Sequence, residues 1–396
     1  MDVDAFRNEA RSWLEANVPR RSGDDNPAAV FIERPDEAAY VVRAKEWQAK
    51  LADAGWAGIT WPTEYGGRGL GPMHQIVWVQ EAAPYDLPLD IFNIGIGMAG
   101  PTILSWGTSE QKDRWLAPML RGEEIWCQLF SEPNAGSDVA SVQTRAVRDG
   151  DEWVVDGQKV WTSGAHFSRW GMLLARTDPD APKHNGLSYF GIDMDQTGVE
   201  VRPLRQMTGG ASFNEVYMSE ARVPNDALIG GPGMGWSVAL TTLMNERTSI
   251  GAVGGLAGSS GSDALARLLA EVARATGRDA LTGPTRDQLA DLSIRTMVLQ
   301  QHAGRIIAKL AQGQIPTAEG SAAKLLLSGL LERLANFAVE VQGPRGMLLG
   351  NDALAGGTWG LAFLGYPGVK IAGGSDEIMR NIIGERVLDL PREPKG

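Results

Sequence analysis

The stretch from Trp126 to Trp170, WCQLFSEPNAGSDVASVQTRAVRDGDEWVVDGQKVWTSGAHFSRW, decides the fold of the middle of the chain. Three short runs within it, 142–148, 152–155 and 158–163, alternate polar with β-branched or aromatic residues. Asp149-Gly150 and Asp156-Gly157 join the runs, and Asp-Gly supplies the positive φ that tight hairpin turns need. The pattern predicts an antiparallel meander of three strands.

A polar loop, SEPNAGSD at 131–138, precedes this meander. Its Pro, Gly and short oxygen-bearing side chains predict a surface loop that presents backbone N–H groups and hydroxyls. Together with Lys159 and Trp161, the loop and hairpin resemble the acyl-CoA dehydrogenase signature, which is roughly TEP-x-AGSD followed by a hairpin ending in K-x-W. The alternative is a generic β-meander with a polar loop.

The resemblance implies that this region lies against the flavin of FAD and over the thioester of an acyl-CoA. Gln128, Leu129 and Ser131 would then hydrogen-bond the isoalloxazine edge. Trp161 and Ser163 would lie against its face and rim. Ser137 would face the bound CoA ligand.

The composition is that of an ordinary globular chain, with 396 residues of which 43% are hydrophobic and 21% charged. This length accommodates two or three domains. The net charge of -11 argues against nucleic acid or an anionic membrane as a partner. Neither a signal peptide nor a membrane-spanning run is visible, and the histidines lack metal-ligand spacing, so we expect no metal. The single cysteine, Cys127, excludes an intrachain disulfide and favours the cytoplasm, and we expect it to be a buried, inert thiol.

Helical patterns precede and follow the β-rich middle of the chain. Residues 1–122 contain an apolar face with Phe6, Ala10 and Leu14, and Thr108 with Gln111 forms a capping box. The Gly- and Pro-rich loop over 56–72 includes WPTEYGG, which is also typical of the acyl-CoA dehydrogenase family. Further strands are predicted over 171–176, 187–194, 199–206 and 214–218. Further helices are predicted over 236–275, 284–311, 317–341 and 375–387.

The prediction is therefore an α+β multidomain chain. An N-terminal α-helical domain covers 1–122, a middle β-barrel or sandwich domain covers 123–229, and a C-terminal four-helix-bundle domain covers 230–396. This α, β, α order is also the architecture of the family that the signature resembles.

The family resemblance implies α,β-desaturation of an acyl-CoA thioester, in which a base removes the α-proton. That proton is so weakly acidic that the base must be desolvated and the thioester carbonyl polarised. In many members the base is a glutamate in a Y-E-G-T run before the last helix, but here the run is IAGGSDEI at 371–378 and Gly373 occupies that position. The Gly373 N–H is still implied as part of an oxyanion hole for the thioester oxygen.

Isovaleryl-type and long-chain-type members instead place the glutamate before an arginine on the first helix of the C-terminal domain. The matching run here is LMNERT at 243–248, which makes Glu246 the predicted base. At helical spacing Glu246 shares a face with Ala239 and Leu243, and with Ile250 and Val253 beyond it, so desolvation is expected to raise its pKa. An exposed glutamate or an ion pair is the alternative. Arg247 matches the family arginine that reaches toward CoA. The alternative is that Arg247 is an ordinary solvent-exposed arginine.

The family completes its FAD site across a subunit boundary. Arg274 or Arg278 matches the arginine for the pyrophosphate, and Glu340 with Gly343 falls in the loop that otherwise reads Q-x-x-G-G-x-G. Ser375 and Glu377, at the start of the last helix, match the pair that binds the nucleotide end, where free N–H groups suit an anion. A homo-oligomer built as a dimer of dimers, or a heterotetramer with this chain as the base-bearing half, is expected.

Three functions remain open at this point. The first is an acyl-CoA dehydrogenase of lipid metabolism and β-oxidation that passes electrons to an electron-transfer flavoprotein. The second is a flavin-dependent oxidase or monooxygenase of the same superfamily, against which Glu246 argues. The third is a non-catalytic subunit, suggested by Gly373. Straight, branched and steroid-like acyl groups all remain candidate substrates.

Overall fold

The computed structural model describes residues 1–21, 36–256, 259–277, 282–312, 314 and 319–392, and gives only the backbone for 247–256, 259–264 and 351. The chain divides into two compact units. The sheet unit comprises residues 33–75 and 87–246, and the helical unit comprises 1–32, 76–86 and 247–396. The domain boundaries at 122 and 229 stay a prediction.

Helices precede and follow a single run of strands, which confirms the predicted α+β class. The described strands are β1 (Trp126–Leu129), β2 (Arg145–Asp149), β3 (Glu152–Ser163), β4 (Trp170–Arg176), β5 (Leu187–Asp193), β6 (Val199–Leu204), β7 (Phe213–Pro224) and β8 (Leu228–Ile229). The described helices are α1 (Val3–Asn17), α2 (Glu37–Asp53), α3 (Pro72–Ala82), α4 (Gly100–Trp106), α5 (Ser109–Leu120), α6 (Gly235–Leu256), α7 (Ser259–Thr276), α8 (Gly283–Ala311), α9 (Glu319–Gln342), α10 (Thr358–Ile371) and α11 (Asp376–Arg386).

All eight described strands belong to one sheet in the sheet unit. Their order is β6-β7-β3-β2-β4-β5-β8, and β1 pairs with β4 in parallel. Strands β4 and β5 are buried along most of their length, whereas β6 alternates between half-buried and exposed residues as an edge strand does. The strands predicted over 171–176, 187–194 and 199–206 are confirmed with small shifts at their ends, and the strand predicted over 214–218 is confirmed but continues to Pro224.

One predicted hairpin is wrong. Gly150 has φ +63° and turns between β2 and β3 as expected. Gly157 instead lies inside β3, which continues from Glu152 to Ser163 with irregular pairing to β7 near Gly157. A Cβ at Gly157 would lie 2.7 Å from Thr144 Cα, so the glycine is required for close backbone approach and not for a turn.

We expect Gly157→Ala to destabilise the protein by about 1–3 kcal/mol, the usual cost of overpacking a site that cannot relax. Gly150→Ala is the matched control, because nothing lies within 4 Å of its added Cβ and only the left-handed backbone, about 1 kcal/mol, is penalised. Urea denaturation midpoints measure both. A smaller loss for Gly157→Ala than for Gly150→Ala would contradict this reading of the strand.

Three tryptophans join α5 to the sheet. The Trp115 ring lies 5.5 Å from that of Trp126 on β1 and 5.7 Å from that of Trp170 on β4. Gly191 on β5 leaves room for this packing, because an added Cβ there would lie 2.9 Å from Trp115. The predicted capping box of α5 is confirmed, with Thr108 and Gln111 each accepting from the other's backbone N–H. This packing fixes the position of β1, the strand that carries the predicted site residues Gln128 and Leu129.

The helical unit is arranged around α9, which contacts α7, α8, α10 and α11. Its core contains Leu268, Leu292, Leu334 and Trp359 among other apolar residues. In the N-terminal segments of the same unit, Phe6, Ala10 and Leu14 of α1 are buried as predicted. Arg7 and Arg11 of α1 pair with Glu81 of α3 at 2.7 and 3.0 Å.

The C-terminal helix predictions needed two changes. The single helix predicted over 236–275 is two helices, α6 and α7, with 257–258 outside the described residues. Helix α10 was not predicted, because Gly360, Pro367 and Gly368 interrupt its pattern, yet burial of Trp359 and Ala362 stabilises it. The helices predicted over 284–311, 317–341 and 375–387 match α8, α9 and α11 closely, apart from 317–318, which lie outside the described residues.

Candidate active site

Trp161 presents an aromatic face on a strained backbone. Its side chain is 58% exposed, although tryptophan is usually buried, and its φ is +61°. A left-handed conformation costs a non-glycine residue about 1–3 kcal/mol and persists where the surroundings impose it. The shift in β3–β7 pairing between Lys159 and Thr162 imposes it here. An exposed indole held in this way suits stacking against a planar ligand.

The polar residues predicted for the flavin edge lie on and beside β1. Gln128, Ser131 and Ser163 are half-buried, whereas Leu129 is fully buried and contributes only its backbone. The Ser131 carbonyl accepts from the Val160 N–H at 2.9 Å, one residue before Trp161. The structure thus brings Ser131 and Trp161 together. Ser137 is exposed in the following loop, and no contact in the structure tests its role.

A buried ion pair, absent from the predicted site residues, holds these two segments in place. Lys159 is 0% exposed, and its Nζ donates to Glu132 Oε1 at 2.8 Å, Phe130 O at 2.9 Å and Leu174 O at 2.8 Å. Glu132 also accepts from the backbone N–H groups of Gln143 and Thr144 at 2.6 and 2.9 Å. All three ammonium protons are therefore used, as a buried charge requires.

The pKa values of the pair follow from these contacts. Burial lowers the pKa of Lys159 to about 8, so the ammonium is protonated at pH 7. For Glu132, burial acts to raise the pKa, but the charge of Lys159 and the Gln143 N–H outweigh it and the pKa is lowered. Both groups are charged at neutral pH and bind the loop after β1 to β3.

The hydroxyl of Thr162 is a further polar group beside Trp161. Thr162 Oγ1 is buried and has no hydrogen-bond partner in the part of the chain that the structure describes. It is one of six such buried side-chain atoms among the described residues, so it does not by itself point to a ligand. The exposed indole and the half-buried polar edge of Gln128, Ser131 and Ser163 together fit an aromatic heterocycle with hydrogen-bonding edges, as an isoalloxazine is.

Glu246 is half-buried near the middle of α6. On the preceding turns of its face, Ala239 is fully buried and Leu243 packs against the core of the sheet unit. The apolar stripe predicted on this side is therefore present up to Glu246. The side chains of Ile250 and Val253, which extend the predicted stripe, lie outside the described residues, as does that of Arg247.

Two adjacent threonines anchor this part of α6. Thr242, one turn before Glu246, is fully buried, and its Oγ1 lies 3.0 Å from both Thr102 Oγ1 on α4 and Tyr189 Oη on β5. Thr241 Oγ1 accepts from Trp106 Nε1 at 2.9 Å. Burial raises the pKa of Tyr189, so its hydroxyl stays neutral. These bonds fix the turn of α6 from which Glu246 projects.

We expect Tyr189→Phe to destabilise the sheet unit by about 1 kcal/mol, the net value of one buried hydrogen bond, and to lower the thermal midpoint accordingly. Tyr217→Phe on β7 is the control, since it removes a half-buried hydroxyl bonded to Gln158 at 3.1 Å and touches no part of α6. Thermal unfolding compares the two variants. Equal midpoints for Tyr189→Phe and wild type would contradict the anchoring role.

Gly373 lies in the link between α10 and α11, with φ +66°, followed by Gly374 with φ +91°. Within the described residues its backbone N–H donates no hydrogen bond, so it is free to meet an oxygen acceptor. Ser375 is the N-cap of α11 and accepts from the Ile378 N–H at 3.3 Å. Glu377, in the first turn, is exposed, and chiefly its own backbone N–H lowers its pKa.

The other residues predicted for the nucleotide are at the surface of the helical unit. Arg274 is exposed in the last turn of α7, and Gly343 is exposed after α9 with φ +57°. Glu340 is exposed and accepts from Gln288 at 3.4 Å. Arg278 lies outside the described residues. Each of these roles stays a prediction, because the structure brings none of them against a ligand.

Other classes of site find no support among the described residues. Cys127 is fully buried, and burial raises the pKa of its thiol to about 12, in keeping with an inert core cysteine. No three His, Cys, Asp or Glu side chains of the described chain are grouped as metal ligands would be. None of the helices, as far as they are described, is long and apolar enough to cross a membrane.

Comparison with known protein families decides the classification. The acyl-CoA dehydrogenase N-terminal domain matches residues 2–123, the middle domain 127–221 and the C-terminal domain 233–388. The chain belongs to the acyl-CoA dehydrogenase family. It is accordingly an oxidoreductase of the FAD-dependent acyl-CoA dehydrogenase type.

Individual relatives include acyl-CoA dehydrogenases of Mycobacterium tuberculosis. The chain is 38% identical to IpdE1 over 406 residues, with 100% of both chains covered. It is 41% identical to FadE34 over an alignment of 407 positions, which covers 98% of this chain and 54% of FadE34.

Solved structures extend the comparison. The Tcur3481-Tcur3483 steroid ACAD superimposes with a TM-score of 0.79 at 28% identity, covering 99% of this acyl-CoA dehydrogenase and 100% of that chain. The ChsE4-ChsE5 complex from Mycobacterium tuberculosis gives 0.77 at 28% identity, covering 99% and 98%.

Proposed function

We propose that this acyl-CoA dehydrogenase desaturates an acyl-CoA thioester between its α and β carbons, with Glu246 as the base. The observation that carries the proposal is the position of Glu246, half-buried at the end of a stripe of core residues and fixed one turn earlier by Thr242. A partly desolvated carboxylate on a rigid helix is the arrangement that abstraction of a weakly acidic proton needs.

The thioester oxygen is held by the Gly373 N–H, whose freedom from internal partners supports this role. Withdrawal of electron density by that donor acidifies the α-carbon as Glu246 removes its proton. Bound FAD would supply the acceptor for the β-hydrogen, which leaves the substrate as hydride. Arg247 reaches toward the anionic CoA moiety, and Ser137 faces the bound CoA ligand.

Trp161 covers the flavin face, while Gln128, Ser131, Ser163 and the backbone of Leu129 hydrogen-bond its edge. In the helical unit the residues proposed for the nucleotide end are Arg274, Glu340, Gly343, Ser375 and Glu377. The lowered pKa of Glu377 keeps it ionised, so we assign it to hydroxyl or amino donors of the nucleotide and not to the pyrophosphate. Arg274 is the residue of this set that suits the pyrophosphate charge.

A bulky acyl group is the substrate class that we favour. The support for this choice is that a structural relative at 28% identity is a steroid ACAD. The glycines at 95 and 100 do not add to it, because Met119 and Trp126 pack against Gly95 and Trp61 packs against Gly100. We propose an electron-transfer flavoprotein as the electron acceptor, because a Glu base argues against the nitroalkane oxidases and flavin monooxygenases of the superfamily.

The test is a screen of straight, branched and steroid-side-chain acyl-CoAs against the purified yellow protein, with flavin bleaching as the readout. We expect bleaching by at least one thioester and slow oxygen consumption by the reduced enzyme. Rapid oxygen consumption would favour the oxidase alternative. A colourless protein that no acyl-CoA affects would favour the non-catalytic subunit.

Assembly is a separate question, for which the ChsE4-ChsE5 complex favours a second candidate. The chain forms either a homotetramer built as a dimer of dimers or the base-bearing half of a heterotetramer. Light scattering on the chain expressed alone, with its flavin content, separates them. A stable flavin-loaded tetramer supports the homomer, and a flavin-free monomer supports the heteromer.

A further inference from the structure

A second buried ion pair lies in the helical unit, and neither of its members has been assigned a role above. Lys324 on α9 is 2% exposed and Asp376, the first residue of α11, is 3% exposed. Lys324 Nζ donates to Asp376 Oδ1 at 2.9 Å and to the backbone carbonyl of Lys370 at 2.9 Å. Ser328 Oγ, fully buried one turn further along α9, donates to the same Asp376 oxygen at 2.7 Å.

These contacts connect the two ends of one short link. Helix α10 ends at Ile371 and α11 begins at Asp376, so Lys370 and Asp376 flank the link that contains Gly373 and Gly374. The ammonium bonds a carbonyl at the C-terminal end of α10 and a carboxylate at the N-terminal end of α11, and both helix dipoles favour this placement of charge. One side chain of α9 therefore sets the distance between the two helix ends.

The link itself has little to hold its shape. Gly373 and Gly374 both have left-handed φ, and glycine moves between backbone regions at low cost. A backbone donor for an oxyanion has to be placed within a few tenths of an ångström to be effective. The rigidity that the two glycines lack must come from the residues that fix their ends.

We propose that Lys324 is a positioning residue for the acyl-CoA reaction: through Asp376 and the Lys370 carbonyl, it places the Gly373 N–H against the thioester oxygen. The inference rests on the proposed function and adds to it a residue without ligand contact. A buried ion pair is seldom the most stable way to fill a core, and conformational specificity is the reason for keeping it here.

The experiment compares two ligands that differ by one oxygen. The parent protein is holoenzyme carrying Glu246→Gln, in which we expect flavin reduction to be at least about a hundredfold slower than in wild type. Binding is measured from flavin absorbance, before reduction sets in, for an acyl-CoA that bleaches wild type and for its thioether analogue, which has no carbonyl. Adding Lys324→Met should weaken thioester binding about tenfold, the value of one well-placed hydrogen bond, and leave thioether binding within about twofold.

The control is Glu332→Gln. The ion pair of Glu332 with the Lys370 side chain, at 2.9 Å, also joins α9 to α10, and this variant removes it while leaving the Lys324 side chain and its acceptors unchanged. It should change neither affinity. Ser328→Ala keeps Lys324 and removes one donor to Asp376, so it gives a smaller loss, about threefold, that is again confined to the thioester. This second variant decides the question if Lys324→Met does not fold.

Equal weakening of thioester and thioether binding, or no weakening of either, would overturn the positioning role. So would a parent protein that binds both ligands equally, because the Gly373 N–H would then hold no oxygen. Failure of the proposed function looks different, since no acyl-CoA would then bleach the flavin of wild type.

Discussion

Glu246→Gln is expected to slow reduction of the bound flavin by an acyl-CoA at least about a hundredfold, the lower end of what a positioned general base contributes. Glutamine has nearly the size and shape of glutamate but cannot accept the α-proton at neutral pH. Because glutamate and glutamine have nearly equal volumes, the exchange leaves no cavity around this half-buried side chain. FAD content should equal that of wild type, since the residues proposed to hold the flavin lie on other elements.

Stopped-flow absorbance of the flavin measures this loss directly, and binding of the unreacted thioester is followed in the same variant. Glu246→Asp is the matched comparison. It keeps the charge and shortens the side chain by one methylene, so it should fall between wild type and Glu246→Gln if reach as well as basicity matters. Flavin reduction at an undiminished rate in Glu246→Gln would remove Glu246 from the mechanism and leave the family assignment intact.

Local patterns predicted the parts of the fold that depend on neighbours in sequence. Period-2 alternation placed the strands of the sheet, and Thr108 with Gln111 located the start of α5. The same reasoning was wrong at Asp156-Gly157. An Asp-Gly pair favours a turn, but here the residues before and after it both pair with β7, so the strand continues through it. Pairing of β3 with β7, more than fifty residues later, keeps the strand extended there.

The candidate site divides in the same way. Family-like motifs pointed to Trp161, Ser131 and Glu246, and the structure places the first two together. The groups that hold them were not predicted, because their partners are far apart in sequence. Lys159 and Glu132 are 27 residues apart, Lys324 and Asp376 are 52 apart, and Thr242 and Thr102 are 140 apart. A buried lysine has no local signal, since its pattern resembles that of a surface lysine.

Lys159→Met is expected to destabilise the protein by about 3–5 kcal/mol, because it leaves the Glu132 carboxylate buried without its counter-ion. It also frees the Ser131 loop from β3 at the base of Trp161, so flavin affinity should fall with stability. Arg145→Met, on the same hairpin, is the control. It removes the exposed pair with Asp156 at 3.3 Å, and such pairs contribute about 0–1 kcal/mol.

The pH dependence of stability identifies the cause of this destabilisation. In Lys159→Met, ionisation of Glu132 should decrease stability, whereas in wild type it increases stability. In wild type the pKa of Glu132 is held below its usual value of 4.5, so the stability from this group is complete above 4.5 and is lost as pH falls through the lowered pKa. Without Lys159 the largest influence that lowers the pKa is gone, and we expect burial to outweigh the remaining Gln143 and Thr144 hydrogen bonds and to raise the pKa above 4.5. The variant is then most stable below 4.5 and loses stability as pH rises through the raised pKa.

Urea denaturation midpoints from pH 4 upward, in about half-unit steps, measure this reversal against a third protein, Lys159→Met with Glu132→Gln. Glu81 and Asp138 also have lowered pKa values, but they titrate alike in all three proteins, so differences between the proteins isolate Glu132. We expect the double variant to be more stable than Lys159→Met at pH 7 and to approach it near pH 4. Parallel curves for these two variants would mean that the lost packing of Lys159, and not the uncompensated carboxylate, causes the destabilisation.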